Sequence, residues 1–330
     1  MKEAHLSASE PRSAHEPLGR CVATIGFFDG VHLGHAFLLR QVVEAARATG
    51  NESVVVTFDR HPREVLRSTS PSAQPVADRL LLTPLDEKLR LLRATGVDRV
   101  EVLSFNADLA SLSAHDFMAS VLRDKLHVGT LIIGYDNRFG HNRAEGFADY
   151  VRHGRSLGID VVQSAEWQPT GELSGMHVSS STIRHLLRAG DVRKANLCLG
   201  RCYEVRGNVA HGYAEGRRLG FPTANLQPES VGQLLPAAGV YAVRVGIGEE
   251  PARRAAMLNI GTRPTYGGHE LTLEAHIFDF AADIYGARLT LDFVARMRDE
   301  RHFASPDALR HQLEEDEQEV RKVLNEAHYA

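Results

Sequence analysis

The chain has 330 residues, which at roughly 150 per domain favours two domains, each with its own core. Hydrophobic residues make up 43% and charged residues 24%, so a wholly disordered chain is excluded. The 38 Lys plus Arg stand against 42 Asp plus Glu, a net charge of -4, and no global positive field exists to hold a phosphate backbone; nucleic acid is not expected as a partner.

Residues 1–20 read as a flexible extension, since they lack the apolar centre of a signal peptide and carry Glu3, Glu10 and Glu16. No apolar run approaches the ~20 residues a bilayer span needs, so no membrane partner is expected. The cysteines Cys21, Cys198 and Cys202 form no C-x-x-C pair and read as reduced core thiols of a cytoplasmic protein. Oligomeric state leaves no signature.

Residues 21–199 alternate short β-branched runs with amphipathic stretches, the pattern of a doubly wound α/β domain whose ligands sit beyond the carboxyl ends of parallel strands. Strands are predicted at Val22 to Ile25, Ser53 to Phe58, Arg99 to Leu103, Thr130 to Gly134 and Ile159 to Val162. Helix stops fall at Gly50, Gly96, Gly158 and Gly190, and Thr83 is expected to cap a helix opened by Pro84, with Asp86 completing a capping box.

The segment IGFFDGVHLGH, Ile25 to His35, joins the first strand to the first helix, where unpaired N–H groups and the helix dipole favour an anion. His32 and His35 share a face if both lie in the opening turn, and Gly34 lets a ligand approach the backbone. Two imidazoles flanking a phosphate suit nucleotidyl transfer, where charge gathers on the α-phosphoryl oxygens. Ordinary histidines at a helix start are the competing reading. Zinc is disfavoured, because the HExxH arrangement places its ligands at i and i+4 and adds a carboxylate. Ser179, Ser180 and Ser181 precede a helical run with Arg184, a set suited to β and γ phosphates or, more plainly, to a helix cap and a solvated arginine. GYDNRFGHNRAEG, from Gly134, supplies Asp136, Arg138 and Phe139 for an aromatic ligand, unless Phe139 belongs to the core.

Residues 200–330 read as a small antiparallel barrel, with strands at Tyr203 to Val209, Gly239 to Val245, Ala255 to Ile260, Thr272 to Phe278 and Arg288 to Phe293. A helix then opens at Ser305 and Pro306 with Leu309, Leu313, Val320 and Leu324 as its buried stripe. GRRLGFPTAN, Gly216 to Asn225, is a phosphate-loop candidate without the Walker pattern. Thr223 and Asn225 face one way on a strand and offer oxygen to Mg2+; Glu274 is a candidate base, although a solvent-facing glutamate is the commoner case.

GFFDGVHLGH, TFDRHPREVL, GYDNRFG and VSSSTIR, followed by GRRLGFPTANL, NIGTRPTYGG, LEAHIFDF, DIYG and RMRDERHF, resemble the bacterial bifunctional riboflavin kinase and FMN adenylyltransferase family, also called FAD synthetases. The likeness covers nearly everything after Arg20. It implies an α/β nucleotidyltransferase domain followed by a barrel kinase domain, with ATP as co-substrate, Mg2+ as cofactor, and riboflavin, FMN and FAD as substrates and products. It also implies that His32, His35 and Arg184 act in adenylyl transfer, with Gly26, Phe27, Asp29, Gly30, Gly34, Ser179 and Ser180 holding ATP. His61, Asp136, Arg138 and Phe139 would lie near flavin or adenylate. In the kinase, Gly216, Arg217, Gly220, Phe221 and Pro222 would form the ATP loop, Thr223 and Asn225 would hold Mg2+, Glu274 would be the base, and Arg298 and Phe303 would lie near the flavin. Phe27, Arg60, Asn137 and Ser181 depart from common family residues, and altered affinity is expected there without loss of the transferase site. The rivals are a kinase with an inactive transferase domain and a flavin-binding regulator without turnover.

Overall fold

Five short runs, each containing β-branched residues, pair side by side in the first half as a parallel sheet, separated by helices that return the chain to the same edge. The computed structural model describes residues 21–60, 81–135, 137–141, 145–211, 215–228, 233–250, 252–265 and 268–326. The expected extension at 1–20, together with His61 and Asp136, lies outside the described residues. The strands are β1 (Cys21–Ile25), β2 (Ser53–Phe58), β3 (Arg99–Leu103), β4 (Val128–Ile133) and β5 (Asp160–Gln163), in spatial order β3-β2-β1-β4-β5. Both faces are covered, as the continuous burial of β1 and β2 requires. Val22, Val55 and Ile132 point to the face packed by α1 (Leu33–Thr49) and α2 (Leu85–Ala94), whereas Ala23, Ile25, Val56 and Ile133 point to Phe117, Met118, Leu122 and Tyr150 of α3 (Phe147–Leu157). The predicted strands of this sheet all form, β2 and β3 with the expected ends and the others shifted by a residue or two, and the predicted glycine stops are all left-handed.

Thr83 does not cap α2. The N-cap position falls on Pro84 without a side-chain bond, while Thr83 Oγ1 accepts the Gly30 N–H at 3.1 Å and Asp86 takes Arg206 at 3.2 Å. A buried tertiary contact outcompetes the local cap for the hydroxyl.

Helices α4 (Ser180–Arg188) and α5 (Val192–Leu199) lead into the barrel strands β6 (Tyr203–Ala210), β7 (Ala224–Pro228), β8 (Gly239–Ile247), β9 (Arg253–Thr265), β10 (Gly268–Ile277) and β11 (Arg288–Arg298). These close in the order β10-β7-β6-β11-β8-β9, with antiparallel neighbours. Strand β7, not among the predicted strands, closes the ring inside the GFPTANL segment. Inward residues alternate, so Val205, Leu226, Val243, Leu258, Leu273 and Leu291 fill the interior. The same apolar cluster continues without a break into Ile183, Leu187, Val192, Ala195 and Cys198 of α4 and α5. Truncating a wholly buried member such as Leu187 to alanine costs about 2–5 kcal/mol. Finally α6 (Pro306–Glu326) lays Val320 and Leu324 against Ala242, Met257 and Val294 on the barrel's outside. All three cysteines are free thiols, and Cys21 and Cys198 are buried.

Candidate active sites

The order of the parallel sheet reverses at β1 and β4, so chains leaving their carboxyl ends diverge there, where sheets of this kind bind their ligands. The loop after β1 begins at this point with a contorted backbone: Phe28, Gly30 and Val31 have φ of 56°, 82° and 39°. A β-branched residue keeps such a conformation only when its surroundings impose it. The Phe28 ring lies so close under Gly26 that a Cβ there would stand 2.9 Å from it.

His32 is the N-cap of α1, its Nδ1 accepting the His35 N–H at 3.3 Å. A ring nitrogen that accepts carries no proton, so neutral His32 holds its proton on Nε2. The two imidazoles stack with centroids 3.6 Å apart, and the Phe28 ring meets His35 edge-on. The spacing of three thus does place both rings on one side of the first turn. Burial, then Arg201 and His177, pushes His32 down to about 3. Burial, then His32, Arg201 and Lys88, holds His35 well below the usual histidine range. Both rings are neutral at pH 7. The buried His35 Nδ1 has no hydrogen-bond partner among the described residues, a costly arrangement for a polar ring atom.

Ser179 caps α4, its Oγ accepting the Thr182 N–H at 3.2 Å, and Ser180 Oγ donates to the Asp29 carbonyl at 2.8 Å. The Asp29 carboxylate accepts the N–H groups of Leu82 and Thr83, at 3.0 and 3.1 Å, and pairs with the Arg184 guanidinium. Burial raises the Asp29 carboxyl, opposed first by Arg184 and then by those two N–H groups. Asp29, expected among the ATP contacts, therefore has its carboxylate engaged inside the fold, where it ties the start of α4 to the loop that opens α1. Two helix N-termini from distant stretches of sequence meet at one loop.

Sequence reasoning missed Lys88. Its Nζ donates to the carbonyls of Phe58 at 2.8 Å and Phe27 at 3.2 Å, at the carboxyl ends of β2 and β1, and stands 4.0 Å over the Phe27 ring. Burial, opposed by Asp29 and Asp59, pushes this amine down to about 8. The available signal was a lysine on the stripe of α2 that Leu85 and Leu92 also occupy. Asn137 Nδ2 donates to the Ile25 carbonyl at 2.5 Å, and Arg138 is exposed. Phe139, expected beside the flavin or adenylate, instead stacks on Tyr150 at 4.3 Å and packs against the sheet core. The aromatic neighbours that complete that core claim the ring.

On the barrel, Ala224 and Leu226 pack toward the interior, so Thr223 and Asn225 belong to the outward face. Glu274 of β10 lies directly opposite Asn225 of β7 on one side and Asn259 of β9 on the other. Opposed residues in an antiparallel pair share a face with Cβ atoms roughly 4.5–5.5 Å apart. Asn225, Glu274 and Asn259 therefore form an outward polar row across three strands, with His276 two residues along and its Nδ1 2.7 Å from the Pro222 carbonyl. The turn before β7 folds back on this row: a Cβ on Gly216 would stand 2.3 Å from the Phe221 carbonyl oxygen and 3.4 Å from Thr223 Oγ1. Only glycine permits that approach. Gly220, at φ 90°, turns the chain into the buried Phe221 and exposed Pro222; of Arg217 only the backbone is described. The donors on this face are hydroxyl, amide and carboxylate oxygens, a set suited to a hard divalent cation such as Mg2+. Arg298 is clamped bidentately by Asp316 of α6, its Nη2 donating to Oδ2 at 2.6 Å and its Nε to Oδ1 at 2.9 Å, with the Phe303 ring 5.9 Å away. Asp316 sits on the helix stripe with Val320 and Leu324, which sequence reasoning read as wholly apolar.

Comparison with known proteins follows the same division. A family model described as FAD synthetase matches residues 14–182, and one described as riboflavin kinase matches residues 199–324. A bifunctional riboflavin kinase/FMN adenylyltransferase of Pseudomonas fluorescens is 40% identical, the match covering 88% of each chain. The chain belongs to this family. The Escherichia coli K12 protein of the same name is 37% identical over 93% of this chain and 94% of its own. A crystal structure named as a macrolide-efflux protein from Streptococcus pneumoniae superposes with a TM-score of 0.81 at 32% identity, covering 93% of this chain and 95% of that one. Among the described residues no helix is long and apolar enough to cross a membrane. As a member of the riboflavin kinase/FMN adenylyltransferase family, the chain carries its paired histidines in the first match and its Thr223, Asn225 and Glu274 in the second.

Proposed function

We propose that the two activities are divided between the two sites, each with its own ATP: the outward row of the barrel phosphorylates riboflavin to FMN, and the histidine end of the parallel sheet joins FMN to AMP. The observation that carries the division is the meeting of α1 and α4 N-termini through Asp29 at one site and the pairing of Glu274 with Asn225 at the other.

In the kinase, Glu274 takes the proton of the ribityl 5′-hydroxyl as its oxygen attacks the γ-phosphorus and ADP leaves, a role typically contributing about 10²–10⁴-fold in rate. Thr223 and Asn225 hold Mg2+, which when bound neutralises charge on the β and γ phosphates. The Gly216 turn, packed against Phe221 and Thr223, would lie beside that charge.

In the transferase, an FMN phosphate oxygen bonds to the α-phosphorus of ATP while the α–β bridging bond breaks and pyrophosphate departs. His32, donating from Nε2, and His35 stabilise the oxygens where charge accumulates, each donor supplying about 2.7–4 kcal/mol. The N-termini of α1 and α4 face the polyphosphate, and Arg184, held by Asp29, adds a fixed positive charge. Neutral rings donate without first binding a proton from solution. The reactions run in the cytoplasm on small molecules, in keeping with the three free thiols.

The test supplies purified protein with riboflavin, ATP and Mg2+ and resolves FMN, FAD, ADP and pyrophosphate. All four products are expected. FMN without FAD selects the kinase-only rival, and flavin binding with no product selects the regulator. Omitting Mg2+ is expected to stop FMN formation.

A further inference from the structure

We propose that Arg201, the residue that carries the chain out of α5 toward the barrel, is a positioning residue for adenylyl transfer: its guanidinium grips the loop that sets His32. One terminal nitrogen donates to the Gly30 carbonyl at 2.7 Å, and the other donates to the carbonyls of Val31 at 3.2 Å and Leu199 at 3.3 Å. The inference rests on the transferase assignment above and goes beyond it, because Arg201 lies outside the residue match to FAD synthetase at 14–182 and inside the riboflavin kinase match at 199–324.

The gripped residues are the ones whose backbone needs holding. Gly30 and Val31 both have positive φ, and for Val31, with a branched Cβ, that conformation is strained. The next residue is His32, whose ring orientation depends on its place as N-cap of α1. A guanidinium suits the task because its planar fork fixes two carbonyls at once, which a single ammonium does less well. The side chain is deeply placed: burial lowers its ionisation to about 10, opposed by Glu87 and Glu204, so it stays charged at neutral pH. Those two carboxylates also pair with Arg206 of β6, at 2.6 and 2.7 Å, which braces α2 against the barrel on the same side. Arg201 holds the loop through its carbonyl contacts, and its charge in addition helps to keep the His32 and His35 rings neutral.

The experiment compares the full chain with Arg201→Met, Arg201→Lys and His32→Ala, measuring FMN formation from riboflavin, FAD formation from added FMN, and the melting temperature. Methionine keeps the length and removes the donors. Arg201→Met is expected to lower kcat for FAD formation by about 10-fold to 10²-fold, the cost of a displacement on the order of 1 Å. KM for ATP should change little, and FMN formation should be retained. Arg201→Lys, which preserves charge but offers one donor group, should recover part of the lost kcat and serves as the decisive variant if the methionine protein does not fold. Unchanged kcat in both variants, or parallel loss of both half-reactions, overturns the inference. If His32→Ala itself retains full FAD formation, the site assignment fails and the inference with it. Loss in His32→Ala with full kcat in both Arg201 variants overturns the Arg201 inference alone.

Discussion

The histidine end of the parallel sheet and the outward row of the barrel, the two proposed ATP sites, offer opposite surroundings. At the first, two neutral rings are pressed together under cover, and the acid beside them is engaged with an arginine and a helix end. At the second, oxygen-bearing side chains stand half-exposed across three strands, and Glu274 lies on the outward face. Adenylyl transfer needs donors around a phosphorus but no base for a phosphate nucleophile that is already ionised. Phosphorylation of an alcohol needs a base and a metal. Each environment suits the proton inventory of its reaction.

The comparison is most open to attack at Glu274. Glu274→Gln is expected to slow FMN formation by about 10²–10⁴-fold while FAD formation from supplied FMN is untouched; product analysis by chromatography checks both, and an unimpaired kinase would remove the carboxylate from its assigned role. Next, His32→Ala should cut FAD formation by about 10²–10³-fold and spare the kinase. A loss confined to FMN formation would invert the assignment. Third, Asp29→Asn leaves the Arg184 guanidinium without its counter-charge in a largely closed setting and should destabilise the fold by about 3–5 kcal/mol. Urea titration measures it, and a midpoint equal to the parent's would show the pair to be dispensable.

The smallest effect concerns acid. His32 titrates near 3 in the folded chain but near 6.5 when unfolded, so between those values the unfolded state binds more protons and folding stability falls as pH drops. His32→Gln should flatten that dependence by at most about 1.36 kcal/mol per pH unit, the limit for one group. Urea midpoints at a series of pH values compare the slopes; parallel curves would mean that burial does not depress the ring.

Most of this architecture is legible from residue pattern. Runs such as SVVVTF and the glycine stops are local decisions that burial and positive φ then enforce, and β2 and β3 appear with the boundaries the pattern predicts. The pairing of His32 with His35 is equally local, a matter of spacing in one helical turn. What escapes is whatever depends on contacts far along the chain. Thr83 reads as a cap because its partners, Gly30 and Asp29, are more than fifty residues away. Phe139 reads as a ligand platform because Tyr150, which claims it, is visible only once α3 has docked. Asp316 vanishes into a charged helix because Arg298, its reason for being buried, lies on β11. Lys88 alone left a trace, a charge in an apolar stripe.

The unbroken apolar cluster through α4, α5 and the barrel interior bears on how such a gene could be divided. A scalpel placed at Gly200 would strip Ile183, Leu187 and Val192 of the surface they lean on and leave an oily wound on each fragment. Moving the incision upstream to rescue the barrel would carry off Ser179, Ser180 and Arg184, which are assigned above to the other proposed reaction.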